Sequence, residues 1–388
     1  MTESASETEP RVFLLDGASL LAARRRVYDG DPILAAADQR LLQDAETASA
    51  VGPFSVVDKD ASPPSGDPHD YLSQAPYWWP DPDIDSGLPW VRRDGEANPD
   101  REQHDRQAVA AMFSAVNTLS AAFFFSDHED FAARASLLLR AWFLDPQTRM
   151  NPHLQYAQGI PGRCEGCGIG IIDTVQIGFL VDSVGLLGAS ASWTDEDQQN
   201  LVDWMSQFLD WLIESDYGRD EAVQSDNHGT WYDVQVLSLA LFTDNDGAAR
   251  QVAQRAEQRL DDQVDADGAQ PLELARTRSL GYSVMNLTGL FDLADLSAHC
   301  GIDLWRHEGD GGRSLRRALD WLVANGIDSK WIRQQIEPFE PIRWLPVLHR
   351  ASQRFGDTAY ANRIRGLPDL ADVTAERTNL LYPVDPPP

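Results

Sequence analysis

The stretch "HDRQAVAAMFSAVNTLSAAFFF" (residues 104–125) decides the fold class. Apolar residues recur along it three and four positions apart, which is the spacing of one face of an α-helix. Eight further stretches of similar length follow, several with the same spacing: 130–144, 171–187, 195–215, 230–243, 248–264, 282–300, 314–326 and 341–355. No convincing series of alternating apolar and polar residues, the pattern of strands, lies between them. The sequence therefore predicts an all-α protein.

The number of helices narrows the architecture. Nine or more helices must share one core, which a four-helix bundle does not provide. Successive antiparallel helices, joined by loops that carry polar and aromatic residues, predict helix pairs arranged in a ring. We therefore expect an α/α toroid, an incomplete barrel of antiparallel helix pairs with long loops over a cleft. An α-solenoid is the structural alternative, but no fixed-period repeat supports it.

Two long segments break the helical pattern. Residues 61–101 are rich in proline and aromatic residues, and residues 145–170 are rich in glycine. Long loops without secondary structure are uncommon in compact domains and are usually functional or disordered, and the aromatic content argues against disorder. Because no linker divides the chain, we predict a single domain over residues 13–388. A short, acidic, disordered lead-in over residues 1–12 precedes it.

The chain is strongly acidic, with 61 acidic against 32 basic residues and a net charge of -29. Only two of the basic residues are lysines, Lys59 and Lys330. An acidic, lysine-poor surface suits concentrated salt, where repulsion between charges is screened over about 3 Å at 1 M ionic strength. We therefore expect a halophilic protein. The same charge balance argues against nucleic acid as a partner.

The sequence contains no clear signal for a membrane span, for export or for a metal site. No run of about 18 or more apolar residues indicates a membrane span, and the N-terminus lacks the apolar core of a secretory signal. We expect a cytoplasmic protein, or a secreted one whose signal has been removed, in an oligomeric state that the sequence leaves open. Cys164 and Cys167 form a lone CxxC, whereas a zinc site needs a second ligand pair. A local disulfide, free thiols or chance are the alternatives, and we predict no metal and no cofactor.

The stretch "SDNHGTWYD" (225–233) combines an amide, an imidazole and two aromatic rings. We predict that it starts a helix, with Asp226 or Asn227 as the N-cap residue. A cap followed by core aromatics is the structural explanation, but it leaves His228 without a role. A helix N-terminus also receives a carboxylate well.

The stretch "LELARTRSLGYSVMNL" (272–287) places Arg276, Arg278 and Tyr282 close together. The alternative is a solvated, salt-bridged helix start that includes Glu273. Together with "SDNHGTWYD" it supplies the groups needed to abstract a proton next to a carboxylate. Asn and Arg side chains neutralise the carboxylate of a uronic acid, and His or a deprotonated Tyr takes the C5 proton. A Tyr hydroxyl protonates the departing C4 oxygen, which leaves a 4,5-unsaturated sugar.

Further candidates lie in the long loops. "HDYLSQAPYWWPDPD" (69–83) presents aromatic rings between prolines as flat platforms for sugar rings, although burial against the helical core is equally compatible. For Arg343, a salt bridge to Glu337 or Glu340 is the default, and for Trp231 it is a place in the core. The candidate substrate-binding residues are Tyr77, Trp78, Trp79, Tyr156, Gln158, Arg163, Trp231, Arg278 and Arg343.

Four motifs in order carry a family resemblance: "PYWWPDP", "NPHLQYAQGIPG", "DNHGTWYD" and "ELARTRSLGYS". Together they resemble the alginate-lyase superfamily of polysaccharide lyases, most closely the family-38 branch of alginate and glucuronan lyases, over roughly residues 65 to 350. The resemblance implies an α/α toroid without metal. It also implies that Asn227 and Arg276 neutralise the substrate carboxylate. His228 would then be the base, and Tyr282 would be the acid or both acid and base. In the family-5 alginate lyases the Arg-to-Tyr spacing is one residue longer, which leaves Arg278 as a substitute for Arg276.

We therefore expect a lyase that cleaves an anionic polysaccharide, either alginate, in particular its mannuronate-rich form, or glucuronan, by β-elimination. A glycoside hydrolase on the same toroid is one alternative, and it needs two carboxylates across a sugar. No spacing singles out a pair among its candidates, which are Asp67, Asp70, Asp226 and Glu273. A non-catalytic sugar-binding protein that uses the tryptophan loop is the other alternative.

Overall fold

Sixteen α-helices make up most of the chain in the computed structural model, which describes residues 8–383. In chain order they are α1 (Gly17–Tyr28), α2 (Ala35–Ser49), α3 (Asp105–Ser126), α4 (Glu129–Leu139), α5 (Ile177–Leu186), α6 (Asp195–Glu214), α7 (Asp216–Ala222), α8 (Asn227–Phe242), α9 (Asp246–Gln263), α10 (Pro271–Leu274), α11 (Ser279–Ala298), α12 (Leu315–Gly326), α13 (Leu345–Phe355), α14 (Thr358–Arg365), α15 (Leu370–Ala375) and α16 (Thr378–Leu381). The nine predicted helices correspond to α3–α6, α8, α9 and α11–α13, and the all-α prediction is confirmed.

Three predicted helices are regular α-helix over only part of their length. The stretch 341–355 begins as a 3-10 helix, Pro341–Trp344, before α13. The stretch 130–144 forms α4 only as far as Leu139, and it continues as one turn of π-helix over Arg140–Leu144. The stretch 171–187 begins with part of a 3-10 helix, Gly168–Thr174, and only then becomes α5. Glycine is a poor helix former, so the "GIGII" sequence delays the start of the regular helix.

The helices form two layers of a ring. Helices α3, α5, α8 and α11 contact one another in that order and make the inner layer, with α13 beside α11. Helices α2, α4, α6, α9 and α12 pack against the outside of this layer. Helix α16 contacts α1, α2 and α13, so the C-terminus connects the last inner helix back to the first helix pair. This arrangement is the predicted α/α toroid.

The inner helices are the most apolar elements of the protein. Helices α8 and α11 are buried on almost every side, because each has neighbours in both layers. The segments Asp105–Ser126 and Gly168–Leu186 are long and apolar enough to cross a membrane by composition alone. Their most apolar windows are, however, 72% and 67% buried inside the protein. Burial in the ring accounts for that composition.

Four short strands lie in the two long loops that the sequence predicted, and the pair β1–β4 joins the two loops. They are β1 (Leu72–Gln74), β2 (Trp78–Trp79), β3 (Val91–Arg92) and β4 (Tyr156–Gly159). Strands β1 and β4 pair in parallel, whereas β2 and β3 pair antiparallel with Trp78 opposite Arg92. The loop that follows β4 contains the CxxC, whose two sulfur atoms, from Cys164 and Cys167, are joined in a disulfide.

The N-terminal segment contacts the ring earlier than the sequence suggests. Residues 1–7 of the predicted lead-in lie outside the described residues. From there on, the Arg11 guanidinium donates to the Leu241 carbonyl at 3.2 Å and to Asp244 Oδ1 at 2.6 Å. Val12 is already part of the core. The contacts of the domain therefore begin before residue 13.

Candidate active site

A cleft of about 450 Å³ opens at the end of the ring where several inner helices begin. Arg106 of α3, Asn227 of α8 and Tyr282 of α11 line it, each within the first turns of its helix. The N-terminus of a helix carries partial positive charge and free N–H groups, so it favours an anion. Five arginines line the same cleft, namely Arg92, Arg106, Arg276, Arg278 and Arg343. The cleft is therefore suited to a negatively charged ligand, despite the acidity of the chain.

The "SDNHGTWYD" stretch starts α8, as predicted. Asp226 is the N-cap residue, and its Oδ1 accepts the backbone N–H of His228 at 3.1 Å. A Cβ atom at Gly229 would lie 2.1 Å from the Gln224 carbonyl oxygen, so only glycine allows this close approach. Trp231 is buried in the core and does not line the cleft. Its predicted alternative, a place in the core, is the one that the structure has.

His228 is held in one orientation by a residue that the sequence analysis did not single out. Its Nδ1 lies 2.7 Å from Oε1 of Glu221, which is 1% exposed and lies on α7. Burial lowers the pKa of His228, but the hydrogen bond and charge of Glu221 outweigh burial, and the net shift is upward. Because Nδ1 is occupied, Nε2 is the ring nitrogen that remains for chemistry in the cleft.

Asn227 lies on the floor of the cleft and is bonded to Glu273. Its backbone N–H donates to Glu273 Oε1 at 2.7 Å, and its Nδ2 donates to Oε2 at 2.8 Å and to Oε1 at 3.1 Å. Burial and the charge of Asp226 raise the pKa of Glu273, Asn227 and Arg276 lower it, and the net result is a pKa of about 7. Nδ2 of Asn227 is therefore bonded to Glu273, behind the cleft, and is not free to bind a ligand.

Arg276 lies between a carboxylate and a tyrosine ring. Its Nε and Nη2 donate to Asp94 Oδ1 at 3.1 and 2.8 Å, which leaves Nη1 for the cleft. The guanidinium carbon lies 3.9 Å from the centre of the Tyr282 ring, within the range of a cation–π contact. Burial raises the pKa of Asp94, but the Arg276 hydrogen bond and charge lower it more, to about 2. Asp94 is thus an ionised anchor that fixes Arg276 against Tyr282.

Tyr282 holds its proton at neutral pH. Its hydroxyl lies 2.7 Å from the hydroxyl of Tyr77, a residue of the aromatic loop. Burial raises the pKa of Tyr282 far above its ordinary value, and Tyr77 adds to the shift, although the Arg276 cation opposes it. A protonated phenol in this position can donate a proton to a leaving oxygen.

The two other predicted arginines that line the cleft, Arg278 and Arg343, differ in their partners. Arg278 donates through Nη2 to the Gly95 carbonyl and to Glu337, so it joins two loops at the cleft. The Arg343 guanidinium makes no hydrogen bond or ion pair within residues 8–383, and it lies over the Phe339 ring at 5.2 Å. Neither Glu337 nor Glu340 forms the expected salt bridge with Arg343 among the described residues, and Glu337 pairs with Arg278 instead. Burial and the Arg278 charge lower the pKa of Arg343, whereas Glu340 raises it.

Of the aromatic loop, Tyr77 and Trp78 line the cleft and Trp79 does not. Successive residues of a strand point to opposite faces, so β2 can present only one of its two indoles. The Trp79 indole Nε1 donates to the Glu96 carbonyl at 2.9 Å, outside the cleft. Arg163 is likewise outside the lining, and it packs over the Trp78 ring at 4.8 Å. Arg163 therefore supports an aromatic platform.

Strand β4 contributes one of its two predicted residues. Gln158 lines the cleft, and its Nε2 donates to Asp173 Oδ1 at 2.8 Å. Asp173 also pairs with Arg106, whose Nε lies 3.2 Å from Oδ1. Tyr156, two positions earlier on the strand, does not line the cleft. We find no substrate-facing role for Tyr156 in this geometry.

The carboxylates that a hydrolase would need are not paired across the cleft. Asp67 and Asp70 both accept from Asn151 Nδ2, at 3.1 and 2.7 Å, and neither lines the cleft. Asp226 caps α8 and Glu273 lies behind Asn227. Within the described residues, no group of three or more His, Cys, Asp or Glu side chains is arranged to hold a metal ion.

The toroid and this cleft define a class of enzyme. An amide, an imidazole, a guanidinium and a phenol converge at the positive ends of the inner helices. The two carboxylates in the lining are engaged elsewhere, Asp226 as the cap of α8 and Glu337 as the partner of Arg278. The fold and the site are those of a polysaccharide lyase of the α/α-toroid type.

Comparison with known proteins identifies the family. The sequence profile described as alginate lyase matches residues 55–332, and the chain belongs to the alginate lyase family. An alginate lyase from Bacteroides ovatus is 35% identical, with 97% of this chain and 100% of that chain covered and a TM-score of 0.92. Alginate lyase A1-III from Sphingomonas species A1 is 16% identical, with coverages of 96% and 95% and a TM-score of 0.57.

A variant of alginate lyase A1-III in complex with a tetrasaccharide is also 16% identical. It has a TM-score of 0.61 and coverages of 99% and 98%. At this identity the A1-III structures support the toroid fold alone. A search of curated proteins gives no match.

Proposed function

We propose that this protein cleaves alginate, preferentially its mannuronate-rich form, by β-elimination in the cleft described above. The observation that carries the proposal is the pairing of a base and an acid in one cleft. His228 has Nε2 free because Glu221 occupies Nδ1, and Tyr282 keeps its proton beside the Arg276 cation. Asn227, His228, Arg276 and Tyr282 are the proposed catalytic residues.

Neutralising the uronate carboxylate is the first requirement, because the C5 proton becomes acidic only when the developing charge is stabilised. Nη1 of Arg276 is available for this role, since Nε and Nη2 are bonded to Asp94. The N-termini of α8 and α11 add partial positive charge at the same place. Asn227 is the second proposed donor, on the condition that its amide can leave Glu273.

Proton transfer completes the reaction. His228 Nε2 removes the C5 proton, and the electron pair of the C–H bond forms the double bond between C4 and C5. The C4–O bond then breaks, and its electron pair stays on the leaving oxygen, which takes the proton of Tyr282. The products are a 4,5-unsaturated uronate at the new non-reducing end and a saturated sugar with a free C1 hydroxyl at the new reducing end. The high pKa of Tyr282 favours this residue as the acid rather than the base.

Binding of neighbouring sugars is assigned to the walls of the cleft. The Arg343 guanidinium has no acidic partner among residues 8–383, which suits the carboxylate of an adjacent uronate. Arg278, Tyr77, Trp78 and Gln158 complete the proposed substrate-binding set that lines the cleft. The rigid Trp78 ring, supported by Arg163, provides a face for a sugar ring.

A panel of pure polymers tests the proposal. Polymannuronate, polyguluronate, glucuronan and a neutral glucan are incubated with the enzyme, and ultraviolet absorbance reports the unsaturated product. We expect the fastest rise with polymannuronate and none with the glucan, and no loss of rate with a chelator, because arginines supply the positive charge. Saturated reducing ends without absorbance would indicate a hydrolase. Binding without any new end would indicate a sugar-binding protein.

A further inference from the structure

The contact between Glu273 and Asn227 leaves one buried atom unsatisfied. Glu273 is 2% exposed and Asn227 is fully buried. Both carboxylate oxygens of Glu273 accept from Asn227, through its backbone N–H and its Nδ2. The oxygen and nitrogen of an amide point to opposite sides of Cγ, so Oδ1 of Asn227 faces away from Glu273. This oxygen has no hydrogen-bond partner among residues 8–383.

This orientation conflicts with the role that the reaction requires. A substrate carboxylate is an acceptor, so it needs the N–H groups of the amide rather than the oxygen. With Nδ2 committed to Glu273, the side of the Asn227 amide that is turned away from Glu273 carries a buried, unpaired acceptor. A buried acceptor facing a carboxylate would repel it, and a buried polar atom without a partner is costly. The amide must therefore turn over before it can bind the substrate.

We infer that Glu273 is a positioning residue whose protonation state decides which atom of the Asn227 amide faces the substrate. The inference rests on the proposed function. When Glu273 is ionised, it holds Nδ2 as in this structure. When Glu273 is protonated, its O–H donates to Oδ1 of the reoriented amide, and Nδ2 is released towards the substrate carboxylate. The backbone N–H of Asn227 keeps an acceptor on Glu273 in both states.

The surroundings of Glu273 allow both states near neutral pH. Burial and the charge of Asp226, the cap of α8, oppose ionisation, while Arg276 and the Asn227 hydrogen bonds favour it. The balance brings the pKa of Glu273 to about 7. A bound uronate places a further negative charge above Asn227, which favours the protonated form still more. Substrate binding and protonation of Glu273 should therefore support each other.

The sign of the pH effect follows from this coupling. Below about pH 7 the donor form of Asn227 is populated, and above it the fraction falls about tenfold per pH unit. We therefore expect KM to rise with pH above 7, up to a limit on the order of 10- to 100-fold set by one hydrogen bond to a charged group. Uronate carboxylates ionise far below this range, so they cannot cause such a rise. His228 acts in the opposite direction and on kcat, because the base must be deprotonated.

Glu273→Gln tests the inference, because glutamine imitates the protonated acid. Its Oε1 can accept the Asn227 N–H while its Nε2 donates to Oδ1, so Nδ2 faces the cleft at every pH. KM and kcat are measured between about pH 6 and 9 on an alginate oligosaccharide for the wild type, Glu273→Gln and the exposed control Glu214→Gln. We expect KM to rise in the wild type and the control and to stay flat and low in Glu273→Gln.

Two results would overturn the inference: a wild-type KM that is independent of pH, or a Glu273→Gln variant whose KM follows the wild type. If Glu273→Gln does not fold, as judged by circular dichroism, the wild-type KM series alone decides. Without turnover on any uronate, the proposed function fails. Binding of a saturated oligouronate, measured by calorimetry over the same pH range, then decides the role of Glu273 separately.

Discussion

At the residue scale, Tyr282 is the most direct test of the chemistry. Tyr282→Phe removes only the hydroxyl and keeps the ring that packs against Arg276. We expect kcat to fall by at least about 100-fold, the contribution of a general acid, while the unfolding free energy stays nearly unchanged. Steady-state kinetics measure kcat, and denaturant unfolding measures the unfolding free energy.

Tyr28→Phe is the matched control, since Tyr28 is 89% exposed and does not line the cleft. Turnover close to the wild type in Tyr282→Phe would refute its role as the acid.

Glu221 offers a second residue-scale test, through the pKa of His228. The ionised carboxylate stabilises the imidazolium, so kcat should increase as pH rises through a pKa above the ordinary 6.5 of histidine. Glu221→Gln keeps the hydrogen bond to Nδ1 but removes the charge, so this acidic limb should move to lower pH. The control is Asp220→Asn, which removes a charge from the adjacent, exposed position on α7. An unchanged limb in Glu221→Gln would mean that His228 is not the base that limits kcat.

The sequence analysis predicted the cap of α8 but not the carboxylates that bond to the site residues, and their distance along the chain is the reason. The cap by Asp226 is local, so the spacing of "SDNHGTWYD" predicts it. Glu221 and Glu273 contact the same helix turn from 7 and 46 positions away, and no sequence spacing encodes those distances. Asp94 is 182 positions from Arg276. The sequence thus predicts only part of the cleft lining, since Trp79, Tyr156 and Arg163 lie outside it, and only the fold decides which atoms are left for a substrate.

At the element scale, Asp182 connects the N-terminal segment to the inner helix α5. Its carboxylate accepts three successive backbone N–H groups, from Phe13, Leu14 and Leu15, at 2.7, 3.0 and 2.8 Å. Asp182→Ala would leave these buried donors without partners. We expect the unfolding free energy to fall by roughly 3–5 kcal/mol, measured by urea denaturation.

The matched control for that measurement is Asp210→Ala on the outer helix α6. Asp210 is exposed, so its loss should change the unfolding free energy by less than about 0.5 kcal/mol. Equal effects of the two substitutions would mean that the segment around residues 13–15 contributes little to the stability of the ring.

The elements that the sequence predicts correctly are those with a strong apolar pattern. Helices α3, α8 and α11 belong to the inner layer, and their length and apolar content predict them. Helices α1 and α2 carry few large apolar residues, since small residues such as Ala23 and Ala37 face the core. The pairing of β1 with β4 joins two distant loops, so it depends on the closed ring and not on either loop alone.

At the scale of the whole molecule, the net negative charge of the chain contrasts with the excess of arginines in the cleft. The chain carries -29, yet five arginines and only two carboxylates, Asp226 and Glu337, line the cleft. Long-range repulsion therefore acts between enzyme and polyuronate, while short-range attraction acts inside the cleft. Salt weakens the long-range repulsion more than the attraction inside the cleft, because the cleft contacts are short and partly buried.

We therefore expect both thermal stability and the apparent second-order rate on alginate to rise from low salt towards molar potassium chloride. Screening shortens the Debye length from about 10 Å at 0.1 M to about 3 Å at 1 M, which relieves both self-repulsion and repulsion of the polymer. For a protein with an ordinary basic cleft, the rate would fall over the same series.

Melting temperature and kcat/KM are measured at constant polymer concentration, with a short uronate oligosaccharide as the control substrate. The oligosaccharide carries fewer charges, so its rate should rise less than that of the polymer. A rate that falls steadily while the protein stays folded would mean that attraction by the cleft arginines dominates, and the adaptation to salt would be refuted.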